Sequence, residues 1–207
     1  MEEKNHYFSE FPDIKVKIHT VSESIRRHLY IFKTTTGVFS FKKLDLGTKI
    51  LIEHMTIPKV SSNLLDLGCG YGAIGLVLAY ESPKSKVYLI DINKRAIWCA
   101  KENIKLNIQD YKKRVLAYSG NYFEPINKKE IKFDGIYMNP PIRKGKKHFF
   151  ELVNEIQAYL KPQGHFQFVI RKKMGAYSVF EDLKSKFQEK EIKIIVKRSG
   201  YWVFDMF

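Results

Sequence analysis

The chain predicts an α/β domain: a doubly wound, mostly parallel sheet of seven strands, closed at one edge by an antiparallel hairpin. Three observations carry that expectation. From Ser61 onward, short runs of β-branched and aromatic residues alternate with longer segments of helical apolar spacing. A glycine-rich turn joins the first strand of this series to its first helix. The last two strands are separated only by Ser199-Gly200, a tight turn. Strands that alternate with helices pair in parallel, with helices on both faces.

The elements follow in order. Residues 1–58 read as an N-terminal extension, strands plus one helix, packed on a core that spans 59–207. In the extension, Tyr30 to Thr34 is a strand, Thr36-Gly37 a turn and Val38 to Phe41 a second extended run. Leu46, Ile50, Leu51 and Met55 mark a helix that stops before Pro58. The core opens with a short buried strand, Asn63 to Leu67, and a helix from Gly72 to Tyr80. Lys86 to Asp91 is the next strand, and Lys94 to Leu106 a helix with Ala96, Ile97, Ala100 and Ile104 on its apolar face. Strands follow at Arg114 to Tyr118 and Phe133 to Met138, then a helix from about Lys147 to Leu160. Gly164 to Arg171 is a strand, Tyr177 to Gln188 a helix, and Glu191 to Arg198 with Tyr201 to Phe207 the closing hairpin.

Bulk properties narrow the class. A chain of 207 residues with 44% hydrophobic content suits one domain with a real core. The net charge of +14 favours a polyanionic partner, although a Lys-rich composition alone would produce the same sum. The two cysteines, Cys69 and Cys99, have no redox or metal-ligand spacing, which points to a reducing compartment. Met1 to Ser9 is charged and aromatic, unlike a signal peptide, and no apolar run has the length of a membrane span. A cytoplasmic protein, monomer or homodimer, without metal or membrane is the expectation.

The densest local signal is Leu64-Leu65-Asp66-Leu67-Gly68-Cys69-Gly70-Tyr71-Gly72. Glycines at 68, 70 and 72 let the chain turn sharply and let a ligand approach the backbone, and the following helix offers free N–H groups. Nicotinamide and flavin proteins use similar loops. Asp66, two residues ahead of the first glycine, gains nothing against a diphosphate. It complements a ligand bearing an ammonium and a sulfonium, and S-adenosyl-L-methionine is such a ligand. Asp91 ends the next strand, roughly 20–25 residues past the loop, where an acid bonds two ribose hydroxyls; Asp91 or Asn93 could equally cap the helix that follows. Ile92 adjoins it. Asn121 and Tyr122, past the third strand, would lie beside an adenine by the switch-point rule, or form an ordinary turn.

The fourth strand ends in Asn139-Pro140-Pro141-Ile142. An exocyclic amine is a poor nucleophile because its lone pair is delocalised. Two acceptors on its N–H groups, the Asn139 side-chain oxygen and the Pro140 carbonyl, pull it toward tetrahedral geometry, and two prolines keep the loop stiff. Arg143, Lys144, Lys146 and Lys147 follow at once, placed to hold the phosphates beside a target nucleotide or simply to solvate a helix start. The clusters Arg26-Arg27-His28, Lys112-Lys113-Arg114 and Arg171-Lys172-Lys173 cannot be assigned to one face from sequence. None of the six histidines has a metal-ligand spacing.

These motifs resemble the small-domain class I methyltransferases of Rossmann-like fold. The likeness is strongest to those that methylate the 2-amino group of a guanine in small-subunit ribosomal RNA, and to their single-domain archaeal relatives. The resemblance rests on Gly37 to Ser40, Asp45-Leu46-Gly47-Thr48, Asp66 to Gly75, Asp91, Asn139 to Lys146 and the turn Leu160 to Gly164. It implies that Phe39 and Ser40 pack over the methionine end of the donor, and that Asn139 and Pro140 grip the acceptor amine. The partner it implies is ribosomal RNA or an assembling small subunit. Three departures stand out. Ile142 replaces an aromatic common in relatives, leaving Phe39 or Tyr71 to stack on the base. Asn121 stands where relatives often carry an acid. The bacterial enzymes of this type have two tandem domains. The rival activities are methylation of a glutamine amide or an adenine 6-amino group, nicotinamide-dependent oxidoreduction, and RNA binding without catalysis.

Overall fold

The computed structural model describes residues 9–207, apart from the side chain of Lys144. The reading of Met1 to Phe8 therefore lies outside the described residues. The elements are β1 (Ile18–Ile25), β2 (His28–Thr35), α1 (Leu46–His54), β3 (Asn63–Leu67), α2 (Ala73–Glu81), β4 (Lys86–Asp91) and α3 (Lys94–Asn107). Then come β5 (Val115–Ser119), β6 (Phe133–Met138), α4 (Lys146–Tyr159), β7 (Leu160–Arg171), α5 (Ala176–Lys186), β8 (Ile192–Arg198) and β9 (Tyr201–Met206).

The main sheet has seven strands in the order β5-β4-β3-β6-β7-β9-β8. β5, β4, β3, β6 and β7 are parallel, and β9 runs antiparallel to both its neighbours, β7 and β8. The order reverses between β3 and β6, so the loops after these strands diverge and leave a crevice at their C-terminal ends. One apolar core, with Leu76, Leu89, Ile97 and Ala100, lies under α2 and α3; the other, with Phe166, Phe168, Val153 and Leu183, lies under α4 and α5. α2 is buried from Ala73 to Ala79 because it packs between sheet and neighbours; a Cβ on its Gly75 would stand 2.6 Å from Leu89.

β1 and β2 form a separate hairpin whose turn is Arg26-Arg27, with φ of +49° and +66°. Such two-residue turns favour Asn-Gly, so sequence carries no hairpin signal here. β1 escaped the sequence reading also because only Val21 and Ile25 of its residues are buried. The free edge of β2 is covered by two asparagines one turn apart on α3. Asn103 Oδ1 accepts from Lys33 N–H (2.6 Å) and its Nδ2 donates to the Lys33 carbonyl (2.9 Å). Asn107 repeats the pattern on Ile31 at 3.2 and 2.9 Å. Two side-chain amides thus stand in for a neighbouring strand, a protection an edge needs.

Two expectations are corrected. Val38 to Phe41 is a turn and not a strand. Gly37 (φ +83°) and Ser40 (φ +54°) are left-handed, and the Gly37 carbonyl accepts from Asn93 Nδ2 at 2.7 Å, which pins the segment in a coil over the crevice. Leu160 to Gly164 is the irregular start of β7, since Leu160 pairs with Phe133 and His165 with Gly135, and the residues between bulge from the ladder.

Candidate active site

At the C-terminal edge of β3, β4, β5 and β6 lies a cleft open to solvent, with about 1090 Å³ of empty space. Its floor is the turn from β3 into α2. Gly68 N–H and Cys69 N–H both donate to the Ile90 carbonyl of β4, at 2.8 and 3.0 Å. Gly68, Gly70 and Gly72 have φ of +72°, +56° and +91°, a region that disfavours any side chain. A Cβ on Gly70 would meet no atom within 4 Å, so the backbone there faces open space rather than a packed neighbour. The turn is braced to the N-terminal hairpin as well, because Asn103 Nδ2 donates to the Tyr71 carbonyl at 2.9 Å.

Asp91 lines the cleft at the tip of β4. Its carboxylate accepts from Gly70 N–H and from Asn93 N–H, each at 2.8 Å, so it ties the glycine turn to the neighbouring strand. The cap of α3 belongs to Asn93, whose Oδ1 accepts from Arg95 N–H and Ala96 N–H. Asp91 is thereby released from the capping role and kept at the cleft wall.

Asp66 is placed differently from the expectation. It is fully buried behind the glycine turn and is not among the residues lining the cleft. Its Oδ2 accepts from Gly75 N–H in the first turn of α2 at 2.8 Å, and its buried Oδ1 has no hydrogen-bond partner. Burial, helped by the charge of Asp91 and opposed by the Gly75 N–H, pushes its pKa up to about 8. Asp66 fastens α2 to the end of β3, and its reach toward a ligand runs through the turn above it. Burial also raises the Cys69 thiol well above its usual range. A neutral, buried thiol is a wall, not a nucleophile.

The opposite wall carries Asn139, at the end of β6. Its Nδ2 donates to Asp45 Oδ2 at 3.0 Å and to Thr48 Oγ1 at 2.9 Å. Asp45 caps α1, with the same Oδ2 accepting from Thr48 N–H at 2.9 Å. A carboxylate only accepts, so the atom of Asn139 that faces it must be the nitrogen. Both protons of that amide are therefore used, and Oδ1 remains as an acceptor of fixed orientation. The Pro140 carbonyl accepts from Ile142 N–H at 2.9 Å, which leaves it a second lone pair. Pro140 is buried and Pro141 half-buried, so the loop is held by packing as well as by its rings.

The remaining predicted residues are distributed unevenly. Phe39, Ser40, Cys69, Tyr71, Ile92, Asn121, Tyr122, Pro140 and Pro141 line the cleft together with Gly68, Gly70, Asp91 and Asn139. Phe39 stands exposed at the mouth. Asn121 accepts nothing from the turn through its side chain; its N–H donates to Glu124 Oε2 at 3.2 Å. Tyr122 sits at φ +45°, its hydroxyl 2.8 Å from His148 Nε2, and burial raises its pKa to about 12. Ile142 lies in a single 3-10 turn with Arg143 and Lys144, outside the lining. Arg143 and Lys147 are exposed, but Lys146 is engaged, with Asp182 at 2.9 Å and with Ser178 Oγ. Asp45 and Thr48 are site residues that the sequence reading did not assign a role. Their own signal, an acid followed at the third position by a threonine, marks only a helix cap.

A Rossmann-like sheet, a glycine turn fastened by an acid at the next strand tip, and an oriented amide acceptor beside two prolines define a class I methyltransferase. The comparisons give the family: the methyltransferase small domain model matches residues 29–205, and the chain belongs to that family. It is 36% identical over 198 residues to "Uncharacterized protein YbxB" of Bacillus subtilis, covering 96% of both chains. It is 33% identical over 160 residues to "Ribosomal RNA small subunit methyltransferase C" of Photorhabdus laumondii, covering 75% of this chain and 44% of that one. A solved structure, "T. Thermophilus 16S rRNA N2 G1207 methyltransferase (RsmC) in complex with AdoMet and Guanosine", superposes with a TM-score of 0.76 at 24% identity, over 94% of this chain and 51% of that one. This chain thus spans about half the length of the ribosomal RNA methyltransferases it resembles. Among the described residues no helix is long and apolar enough to cross a membrane.

Proposed function

We propose that the protein transfers a methyl group from S-adenosyl-L-methionine to an exocyclic amine of an RNA base, the 2-amino group of a guanine in small-subunit ribosomal RNA. The observation that carries the reading is the amide of Asn139, whose nitrogen is bound twice and whose oxygen is left to accept. The donor's place fits this chain: a glycine turn open above Gly70, with a carboxylate at Asp91 on the same wall. Bound there, the donor supplies an electrophilic methyl on a sulfonium.

The chain's own residues do the rest. Asn139 Oδ1 and the Pro140 carbonyl accept the two amine protons and turn the nitrogen lone pair toward the donor. The prolines hold both acceptors in place before the base arrives, which lowers the entropic cost of alignment. The nitrogen would take the methyl as the methyl–sulfur bond breaks, its electron pair leaving with a neutral thioether, and the proton then lost from nitrogen would go to solvent. No strong base is required, because the substrate amine becomes acidic only after transfer. Arg143 and Lys147, exposed beside the loop, fit flanking phosphates. The names of the ribosomal RNA relatives and the net charge of +14 support the RNA reading.

The test is transfer of a labelled methyl group to ribosomal RNA and to small subunits from a strain lacking this protein, followed by nucleoside mass spectrometry. Label in N2-methylguanosine is expected. Label in adenosine or in protein overturns the substrate. In the same assay Asn139→Ala should abolish transfer while donor affinity changes by less than about threefold. Parallel loss of both would make Asn139 a structural residue.

A further inference from the structure

The end of β7 and the β8–β9 turn bring together cations that the chain keeps far apart. Arg171 pairs with Tyr201 across β7 and β9, and Tyr201 pairs with Arg198 across β9 and β8, so the three stand in one row on one face. The Arg171 guanidinium lies 5.9 Å from the centre of the Tyr201 ring. Lys172 N–H donates to the Gly200 carbonyl at 2.7 Å, which docks the turn Lys172–Met174 against the hairpin tip. Lys197, next to Arg198 in sequence, pairs with Trp202 and lies 4.0 Å over its ring, on the other face. Arg171, Lys172, Lys173, Lys197 and Arg198 are all exposed, and none forms an ion pair among the described residues.

The ridge gathers its cations from two segments that carry no acid of their own. Between Ile156 and Phe180, and between Ile192 and Tyr201, the sequence holds no acid. Some other cations of the chain are paired, Lys49 with Glu23, Lys94 with Glu10, Lys146 with Asp182 and Lys161 with Asp134. Like charges crowded without acids repel one another, and a phosphodiester chain relieves that repulsion.

The ridge is also continuous with the acceptor site. The Tyr201 ring lies against Gly47, where an added Cβ would be 2.7 Å from it and 3.0 Å from Asp45 Oδ2. Asp45 Oδ2 is the atom that holds the Asn139 amide. Asn139, Asp45, Tyr201 and the Arg171–Arg198 row therefore follow one another across the surface. We propose that this row and the adjoining Lys172 and Lys173 form a second phosphate-binding surface. It holds the RNA backbone as the strand leaves the cleft. The inference rests on the RNA reading of the preceding section.

The test compares the full chain with a triple variant, Arg171→Ala, Lys173→Ala and Arg198→Ala, and with a control, Lys112→Ala and Lys113→Ala. The control pair precedes β5, at the other end of the sheet. Affinity for a small-subunit ribosomal RNA fragment is measured by fluorescence anisotropy between about 50 and 200 mM salt, the range over which phosphate contacts show. The triple variant should lower the slope of log K against log salt by about 2 to 3, roughly one per cation removed, and the control by less than about 1. An unchanged slope in the triple variant, beside steep binding by the parent, overturns the ridge and spares the RNA reading. Equal slope losses in triple variant and control also overturn it, because they show charge without place. A parent that binds RNA with no salt dependence overturns the RNA reading, and the ridge with it.

Discussion

Asp45 is the residue through which the acceptor amide of Asn139 can be tested without touching Asn139. Its Oδ2 receives three donors: Thr48 N–H at 2.9 Å, Thr48 Oγ1 at 3.3 Å and Asn139 Nδ2 at 3.0 Å. Replacing Asp45 with Ala removes a helix cap, at about 1 kcal/mol, and a charge-assisted hydrogen bond to the amide, at about 1.5–3 kcal/mol. The first loss lowers the melting temperature by about 2–4 °C per kcal/mol in a chain of this size. The second acts on the reaction. Without the carboxylate the amide can rotate and present its NH₂ group to the substrate amine, which repels it. If the orienting energy is fully used in transfer, kcat falls about 10- to 100-fold, at 1.36 kcal/mol per decade. Asp45→Asn separates the two effects, because asparagine caps a helix as well as aspartate does while the charge is gone. It should keep the melting temperature and lose less than tenfold in kcat. The assay is single-turnover methyl transfer at saturating donor and RNA, with donor affinity measured by calorimetry. A kcat for Asp45→Ala within about twofold of the parent, or a loss confined to donor affinity, would refute the reasoning.

Three further outcomes follow from the same geometry. Thr48→Val deletes the second acceptor of the Asn139 amide but keeps the backbone donor to Asp45, so kcat should drop by less than in Asp45→Ala with little change in melting temperature; equal losses would show that the two acceptors are not shared in the way the distances imply. Asp66 titrates at about 8 in the fold because of its burial, against about 4 in an unfolded chain. The unfolded state therefore ionises first. The stability tied to this group is complete below about pH 4, declines as pH rises toward 8 and is level beyond. Asp66→Asn should flatten the melting temperature across that window, and an identical slope in both proteins would contradict the burial argument. Gly75→Ala drives a methyl to within 2.6 Å of Leu89 and should cost about 1–3 kcal/mol by thermal or urea unfolding; an unaffected midpoint would show that Leu89 yields freely.

Much of this site is legible in sequence because its parts are local. Three glycines at alternate positions have few uses other than a turn of positive φ, and Gly68, Gly70 and Gly72 all adopt it. Asp91 and Asn139 close strands whose apolar runs are plain in the sequence, and parallel pairing brings their ends to one edge. What escaped was set by distance along the chain. Asp45 and Asn139 are separated by 94 residues, and nothing in either segment tells that one side chain orients the other. The left-handed Ser40 shows the same limit: a Val-Phe-Ser-Phe run has strand propensity, and Asn93 overrides it from α3.

Asp66 carries that argument to its end. Chemistry read from spacing placed a carboxylate against a cationic ligand, and the fold places it behind the turn, on Gly75 N–H. The spacing was informative about the turn and silent about direction. In a strand, successive side chains point to opposite faces, and Asp66 lies between Leu65 and Leu67, both fully buried. An acid in that setting titrates upward instead of offering its charge, and the carboxylate that lines the cleft is the one at the strand tip, Asp91. The basic clusters obey the same rule in reverse. Lys146, beside the reactive loop in sequence, is claimed by Asp182 of α5, while Arg171 and Arg198, far apart in the chain, meet across Tyr201 without an acid between them. Charge becomes a binding surface where the fold withholds its counter-ion, and that property belongs to strand register and not to motif.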